Sequence, residues 1–322
     1  MRIGHYDLPG LAILAPMAGV TDVPYRRICL RHGASLAVGE MVASSEHLRG
    51  TQMSVRRFAC DPTDPHPVVQ LLGADPVAMA SAAEHAQSCG ATIVDINFGC
   101  PARVVCGKAC GSAIMQNEAL AQRIMHEVVS AVTVPVTVKM RTGWSEQGMN
   151  AVTIAKMAQD TGLSAVTVHG RTRAQRFTGA ADYAAIAKVV QAVQIPVIAN
   201  GDIDTPLKAM SVLRETGAAG VMIGRAAYGN PWIFERLQEV LSGCPDPGEP
   251  SDTQVLQTLL AHMHEHFDYW GESLGSVRMM RKHVRWYLSR VSGSDELVAG
   301  LMQMEVPSAL VSALEHEMKK RI

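Results

Sequence analysis

The chain has 322 residues, 48% of them hydrophobic and 18% charged, with a formal net charge of −1. That length and apolar content suffice for one large domain and a small one. The charge balance argues against a globally basic nucleic-acid binder, while leaving room for a local basic patch. No apolar run reaches the roughly 18 residues that span a bilayer, and the opening Met1-Arg2-Ile3-Gly4-His5-Tyr6 lacks a signal peptide's apolar core. A cytoplasmic location with no membrane partner is expected. The seven cysteines are odd in number, which disfavours a disulfide framework. Cys100, Cys106 and Cys110 cluster, but at spacings of six and four, with no Cys-x-x-Cys pair. No metal site is expected from them.

In chain order, short β-branched runs alternate with longer helical stretches, the pattern of parallel βα units. Eight apolar runs read as strands: 11–15, 35–39, 67–72, 92–97, 134–140, 165–169, 195–199 and 220–223. They are near-continuous in Val, Ile, Leu and Ala, as strands covered on both faces are. Helices are expected at 24–32, 75–89, 117–132, 148–161, 183–193 and 206–216, several ending on glycine: Gly33, Gly90, Gly162 and Gly217. The pattern predicts an α/β fold, a (β/α)8 barrel of the TIM type. A doubly wound open sheet would normally carry a Gly-rich loop after its first strand, and none is visible. A Pro/Gly-rich break at 243–250 reads as a linker, and from Ser251 onward the pattern is helical. We therefore expect a catalytic barrel over 1–243 and a small all-helical C-terminal domain over 251–322.

A barrel of this kind builds its ligand site at the carboxyl ends of its strands. The predicted tips carry Ala15-Pro16-Met17-Ala18-Gly19, Glu40-Met41, Asn97 with Cys100, Lys139-Met140-Arg141, His169-Gly170-Arg171, Asn200-Gly201-Asp202 and Gly224-Arg225, with Gln70 inside the third strand. Polar groups in apolar strands are costly to bury unless they bond something, so their convergence points to a polar ligand. The loops after strands seven and eight are this fold's usual phosphate cradle, where Arg225 can pair with a phosphate. Lys139 and Gln70 then face an electron-poor ring, where a lysine stabilises the negative charge of a reduced flavin. Cys100, between Gly99 and Pro101 at a strand's end, is placed to act on a ligand above the sheet.

Seven blocks in order, Ala15-Pro16-Met17-Ala18-Gly19-Val20-Thr21-Asp22, Gln70-Leu71-Leu72-Gly73, Asp95-Ile96-Asn97-Phe98-Gly99-Cys100-Pro101, Lys139-Met140-Arg141-Thr142-Gly143-Trp144, Val168-His169-Gly170-Arg171-Thr172-Arg173, Ala199-Asn200-Gly201-Asp202-Ile203 and Met222-Ile223-Gly224-Arg225-Ala226, resemble the tRNA-dihydrouridine synthases, specifically the bacterial B-type subfamily. The resemblance spans essentially the whole chain. It implies an FMN-dependent, NADPH-using enzyme that reduces the uracil 5,6 double bond in tRNA. On it, Pro16, Met17 and Ala18 back the flavin ring, and Gln70 and Lys139 bond its polar edge. His169 lies between ring and phosphate, and Asn200, Gly201, Asp202, Gly224 and Arg225 hold the phosphate end. Cys100 is the implied proton donor. Cys106 and Cys110 depart from the family pattern; they are either incidental or, by their proximity, able to form a disulfide with Cys100 under oxidation.

In the tail, Arg278, Arg281, Lys282 and Arg285 fall on one helical face, and the stretch 276–290 has no acidic residue. Beside such a barrel this face is expected to meet tRNA phosphates, joined at the mouth by Arg141, Arg171 and Arg173. No obligate protein partner is evident. The alternative reading is an FMN-dependent dehydrogenase of a free pyrimidine, which needs no basic helical tail.

Overall fold

The computed structural model describes residues 1–107 and 109–321. A two-stranded antiparallel hairpin, β1 (Arg2–Ile3) and β2 (Tyr6–Asp7), comes first. The remaining strands form one parallel sheet: β3 (Ala12–Leu14), β4 (Leu36–Ala37), β5 (Val42–Ala43), β6 (Val68–Leu72), β7 (Ile93–Phe98), β8 (Val136–Arg141), β9 (Ala165–His169), β10 (Val197–Asn200) and β11 (Gly220–Ile223). Their order is β4-β3-β11-β10-β9-β8-β7-β6-β5. Val38, one residue past β4, bridges Val68 of β6 in parallel, which joins the two ends of that order. β4 and β5 are thus two halves of one stave, and eight staves close the expected (β/α)8 barrel.

That divided stave refines the expected single strand at 35–39. Between its halves the Glu40 carboxylate turns away from the ladder, accepting the N–H of Gly19 and pairing with Arg57 at 3.2 Å. The expected helices appear close to their predicted bounds: α1 (Val23–Arg31), α4 (Pro76–Ser88), α6 (Glu118–Ala131), α7 (Ala151–Thr161), α8 (Tyr183–Ala192) and α9 (Pro206–Thr216). Helices α1, α4 and α9 start alike, with Asp22, Asp75 or Thr205 accepting an N–H three residues on and a proline in the first turn. Three short helices escaped the periodicity: α2 (Glu46–Arg49), α3 (Gln52–Phe58) and α5 (Arg103–Cys106). The barrel's last helix is α10 (Trp232–Leu241).

The main apolar cluster lies between sheet and helices. A second fills the barrel and takes in Ile3 and Leu8 of the amino-terminal segment. Gly4 lies against Pro135 and Ser164, and Met1 against Gly220, so the hairpin covers the amino ends of β8, β9 and β11. The opposite end is left for the ligand site.

Four helices follow the barrel: α11 (Asp252–Trp270), α12 (Leu274–Leu288), α13 (Asp295–Gln303) and α14 (Pro307–Arg321). Ile322, the last residue of the predicted tail, lies outside the described residues. Helices α11 and α12 open on capping boxes, Ser251 with Gln254 and Ser273 with Ser276. These helices share an apolar cluster that Trp232 of α10 also enters. The tail meets the barrel at Asp22, whose carboxylate accepts the Trp270 indole N–H at 2.7 Å, and at Gly229. Gly229 has φ +58°, and a β-carbon there would overlap the Trp286 and Tyr287 backbone. Among the described residues no helix is long and apolar enough to cross a membrane.

Candidate active site

The carboxyl ends of the strands surround a cavity of about 750 Å³, within the roughly 300–1,000 Å³ of small-molecule sites. Pro16, Met17 and Ala18 give it an apolar wall, extended by Met41 and Met222. Every expected cofactor residue lines it: Pro16, Met17, Ala18, Gln70, Lys139, His169, Asn200, Gly201, Asp202, Gly224 and Arg225, together with Cys100. Phe177 and Tyr228 line it too, and Asp95 and Thr137 bond each other beside Gln70; none of the four was expected as a site residue. Asp95 stands two positions before Asn97 in β7, so strand periodicity alone puts the two on one face. Phe177 and Tyr228 lie in loops and carried no comparable signal.

Strand β7 ends at Phe98, and irregular backbone follows. Asn97 Oδ1 accepts the N–H groups of Gly99 at 3.1 Å and Cys100 at 2.9 Å. The Cys100 carbonyl accepts the Ser112 N–H at 3.1 Å and its hydroxyl at 2.9 Å. Cys100 is therefore tied down through both its amide and its carbonyl. Its half-buried thiol has a raised pKa, because burial outweighs the Ala102 N–H and the charges of Arg141 and Lys139. Such a thiol stays protonated at neutral pH and can donate. Cys106 holds its sulfur 3.6 Å from the Cys100 carbonyl oxygen, and Cys100 and Cys106 are both free thiols.

On the neighbouring strand, Lys139 Nζ donates to Asn200 Oδ1 at 3.0 Å, and Asn200 Nδ2 donates to the Met222 carbonyl at 2.8 Å. Asn200 thus orients the lysine while lining the cavity itself, with one Nδ2 hydrogen left over from these bonds. Burial, with Arg141 nearby, lowers the Lys139 pKa to about 8. His169 is held neutral: burial first, then Lys139, Arg141, Arg171 and Arg225, push its pKa down to about 2. A neutral imidazole here offers one donor and one acceptor.

The arginines divide differently from expectation. Arg171 is 2% exposed and pairs with Asp202 through both Nη atoms, while donating to the Thr178 and Gly179 carbonyls. It fastens the following loop to the tip of β10 and does not present itself to RNA. Asp202 also takes the Ala181 N–H at 2.9 Å and lies 3.3 Å from Arg225, so its carboxylate is occupied. Arg141 is likewise buried, donating to the carbonyls of Gly99, Thr172 and Arg176, although it lines the cavity beside Cys100. Arg173 stacks on Trp144 at 4.4 Å. Arg225 remains 55% exposed over the Phe177 ring, a cation still open at that end. In the tail, Arg278 and Arg285 are exposed. Arg281 is anchored to the Met304 carbonyl at 3.0 Å, and Lys282 turns toward Gly19 beside the barrel mouth.

An apolar wall, a lysine at one edge and an open arginine at the far end suit a flat ring that carries an anionic group. Among the described residues, no group of three or more His, Cys, Asp or Glu side chains is arranged to hold a metal ion.

Comparison with known proteins agrees with this geometry. The family model described as dihydrouridine synthase matches residues 13–322. A tRNA-dihydrouridine synthase B of Pseudomonas aeruginosa is 46% identical over 322 residues, covering 100% of this chain and 96% of the relative. Those of Xanthomonas axonopodis pv. citri and Vibrio parahaemolyticus are 48% and 44% identical, over 96% and 98% of this chain and 93% and 98% of theirs. A solved structure described as a variant of NCR from Zymomonas mobilis superposes with a TM-score of 0.56 at 16% identity. It covers 78% of this chain and 92% of its own, a likeness of fold alone.

Proposed function

The chain belongs to the dihydrouridine synthase family of oxidoreductases, and on that premise we propose that it reduces the 5,6 double bond of a uridine in tRNA to dihydrouridine, with FMN as cofactor and NADPH as reductant. The observation that carries this reading is one cavity lined by both a doubly tethered Cys100, whose thiol is held by burial above its usual pKa, and Lys139 on the neighbouring strand. The tRNA substrate follows from the names of the relatives and from the cationic residues around the mouth. In the same reading, residues 1–243 form the FMN-binding catalytic domain and 251–322 a tRNA-binding domain.

Pro16, Met17 and Ala18 support the ring of the cofactor, and Lys139, held by Asn200, faces its polar edge. Gln70 retains one amide hydrogen for that edge. Arg225 and the backbone at Gly201 and Gly224 serve the phosphate end. When bound, reduced FMN supplies the hydride that goes to carbon 6 of the uracil. Cys100 then gives its proton to carbon 5 from the opposite face, as a general acid. Arg141, fixed by three carbonyls, and Asn97 border the space for the base. The uridine leaves its stack to enter, so selectivity rests on how well the RNA around it is held. Exposed Arg278 and Arg285 supply phosphate contacts for that purpose.

A dehydrogenase of free pyrimidines shares the cofactor and the barrel but gives the tail's exposed arginines no task. The distinguishing experiment maps dihydrouridine in tRNA from cells lacking this gene. The proposal expects loss at one or a few positions, restored by the wild-type gene. An unchanged map would reject it.

A further inference from the structure

Strands β6, β7 and β8 lie side by side, in a register that sets Gln70 opposite Asp95 and Asp95 opposite Thr137. Side chains two apart on a strand share a face, so Asp95 sits one layer deeper in the barrel than Asn97. Asp95 is 4% exposed and Gln70 1%. Hydrogen bonds join these residues in series. Thr137 Oγ1 donates to Asp95 Oδ1 at 2.6 Å, and Gln70 Nε2 donates to Asp95 Oδ2 at 2.7 Å. Gln70 Oε1 accepts from Asn97 Nδ2 at 2.8 Å. Asn97 Oδ1, left facing the loop, accepts the N–H groups of Gly99 and Cys100.

The series has one permitted direction. Burial raises the Asp95 pKa against the opposing pull of Gln70, Thr137 and Lys139; as a carboxylate its Oδ2 can only accept, so it fixes which end of the Gln70 amide faces it. With Nε2 on the carboxylate, Oε1 must meet Asn97, and Asn97 must meet it with Nδ2. Its own oxygen is then free for the Cys100 backbone. A flip of Gln70 would set carbonyl against carboxylate and NH2 against NH2, with every group buried. The same constraint leaves Gln70 one Nε2 hydrogen to offer the cavity that it lines.

We infer that Asp95 is a positioning residue: through Gln70 and Asn97 its carboxylate fixes both the seat of the Cys100 backbone and the donor that Gln70 presents to the cavity. The inference rests on the reading of Cys100 as proton donor, and its test is chosen so that the two fail separately. Asp95 touches neither partner of the reaction. It acts on both sides of the site from beneath.

The test is an exchange of roles between Asp95 and Gln70, read by the alkylation rate of Cys100 in the full-length protein, measured by mass spectrometry of its peptide. Gln70→Glu sets two carboxylates face to face and breaks the series, so alkylation by iodoacetamide accelerates about fivefold or more. Asp95→Asn combined with Gln70→Glu reverses the first bond. The amide introduced at position 95 donates, and the carboxylate introduced at position 70 accepts from it and, as before, from Asn97. The alkylation rate of this double variant returns to within about twofold of wild type, while its affinity for FMN stays about tenfold weaker, because the cavity donor is gone. Asn97→Ala removes only the last link and accelerates alkylation by itself, which keeps the comparison usable should Gln70→Glu alone fail to fold. A Gln70→Glu or Asn97→Ala rate equal to wild type, or a double variant as fast as Asn97→Ala, would overturn the inference. So would a double variant that binds FMN like wild type. If the wild type binds no FMN, the proposed function fails, while the alkylation comparison still decides this point.

Discussion

The barrel mouth and the interior of the tail both bury polar side chains, and they use them in opposite ways. At the mouth, Asp95, Gln70, Asn97, Lys139 and Asn200 are joined by hydrogen bonds in two series, one ending on a thiol loop and the other on an ammonium group. In the tail, both ring nitrogens of His262, Nδ1 of His283 and the hydroxyl of Tyr287 have no partner. His262 stacks on Tyr25 at 5.3 Å and lies 4.7 Å from His283, ring against ring. Burial pushes its pKa down to about 3, so it packs as a neutral ring. A buried polar group is a sign of function where its bonds lead toward a cavity, and a sign of packing where they lead nowhere.

The largest effect that would break this contrast is expected at the joint between the two regions. Gly229→Ala forces a β-carbon into the α12 backbone at a left-handed position, at a cost of about 3 kcal/mol. Thermal denaturation should show a clear loss of stability, and limited proteolysis should cut more readily within 243–250. The mouth itself should still bind FMN. If the variant melts like wild type, the tail is not seated through Gly229.

A smaller effect sharpens the account of the mouth. The Lys139 pKa of about 8 means that the group is charged below that pH and neutral above it. If its charge holds the cofactor's polar edge, FMN affinity falls as pH rises through about 8, by about tenfold in all. Lys139→Met should bind weakly at every pH, with that fall removed. A parallel decline in wild type and variant would assign the titration to another group.

Much of this was legible in the chain. Eight apolar runs specified eight staves, because strands covered on both faces need little else, and glycines such as Gly162 and Gly217 marked where helices end. The divided second stave was hidden, since Glu40 leaves the ladder for Gly19, 21 positions away. Two-residue strands such as β1 and β2 are too short to show a period. At the site, the lining residues were readable because strand tips converge whatever their partners are. Their partners were not readable. Asn200 finds Lys139 across 61 positions and Arg171 finds Asp202 across 31, so residue type alone could not tell a ligand contact from a support. Asp95 lay in view inside its motif, but only register shows that Gln70 stands opposite.

The most direct measurement compares purified wild type with Cys100→Ala on unmodified tRNA, following FMN content by absorbance and dihydrouridine by mass spectrometry. The account predicts equal FMN content and a rate of dihydrouridine formation lower by about 10²–10⁴-fold in the variant. Wild-type turnover in Cys100→Ala would contradict it.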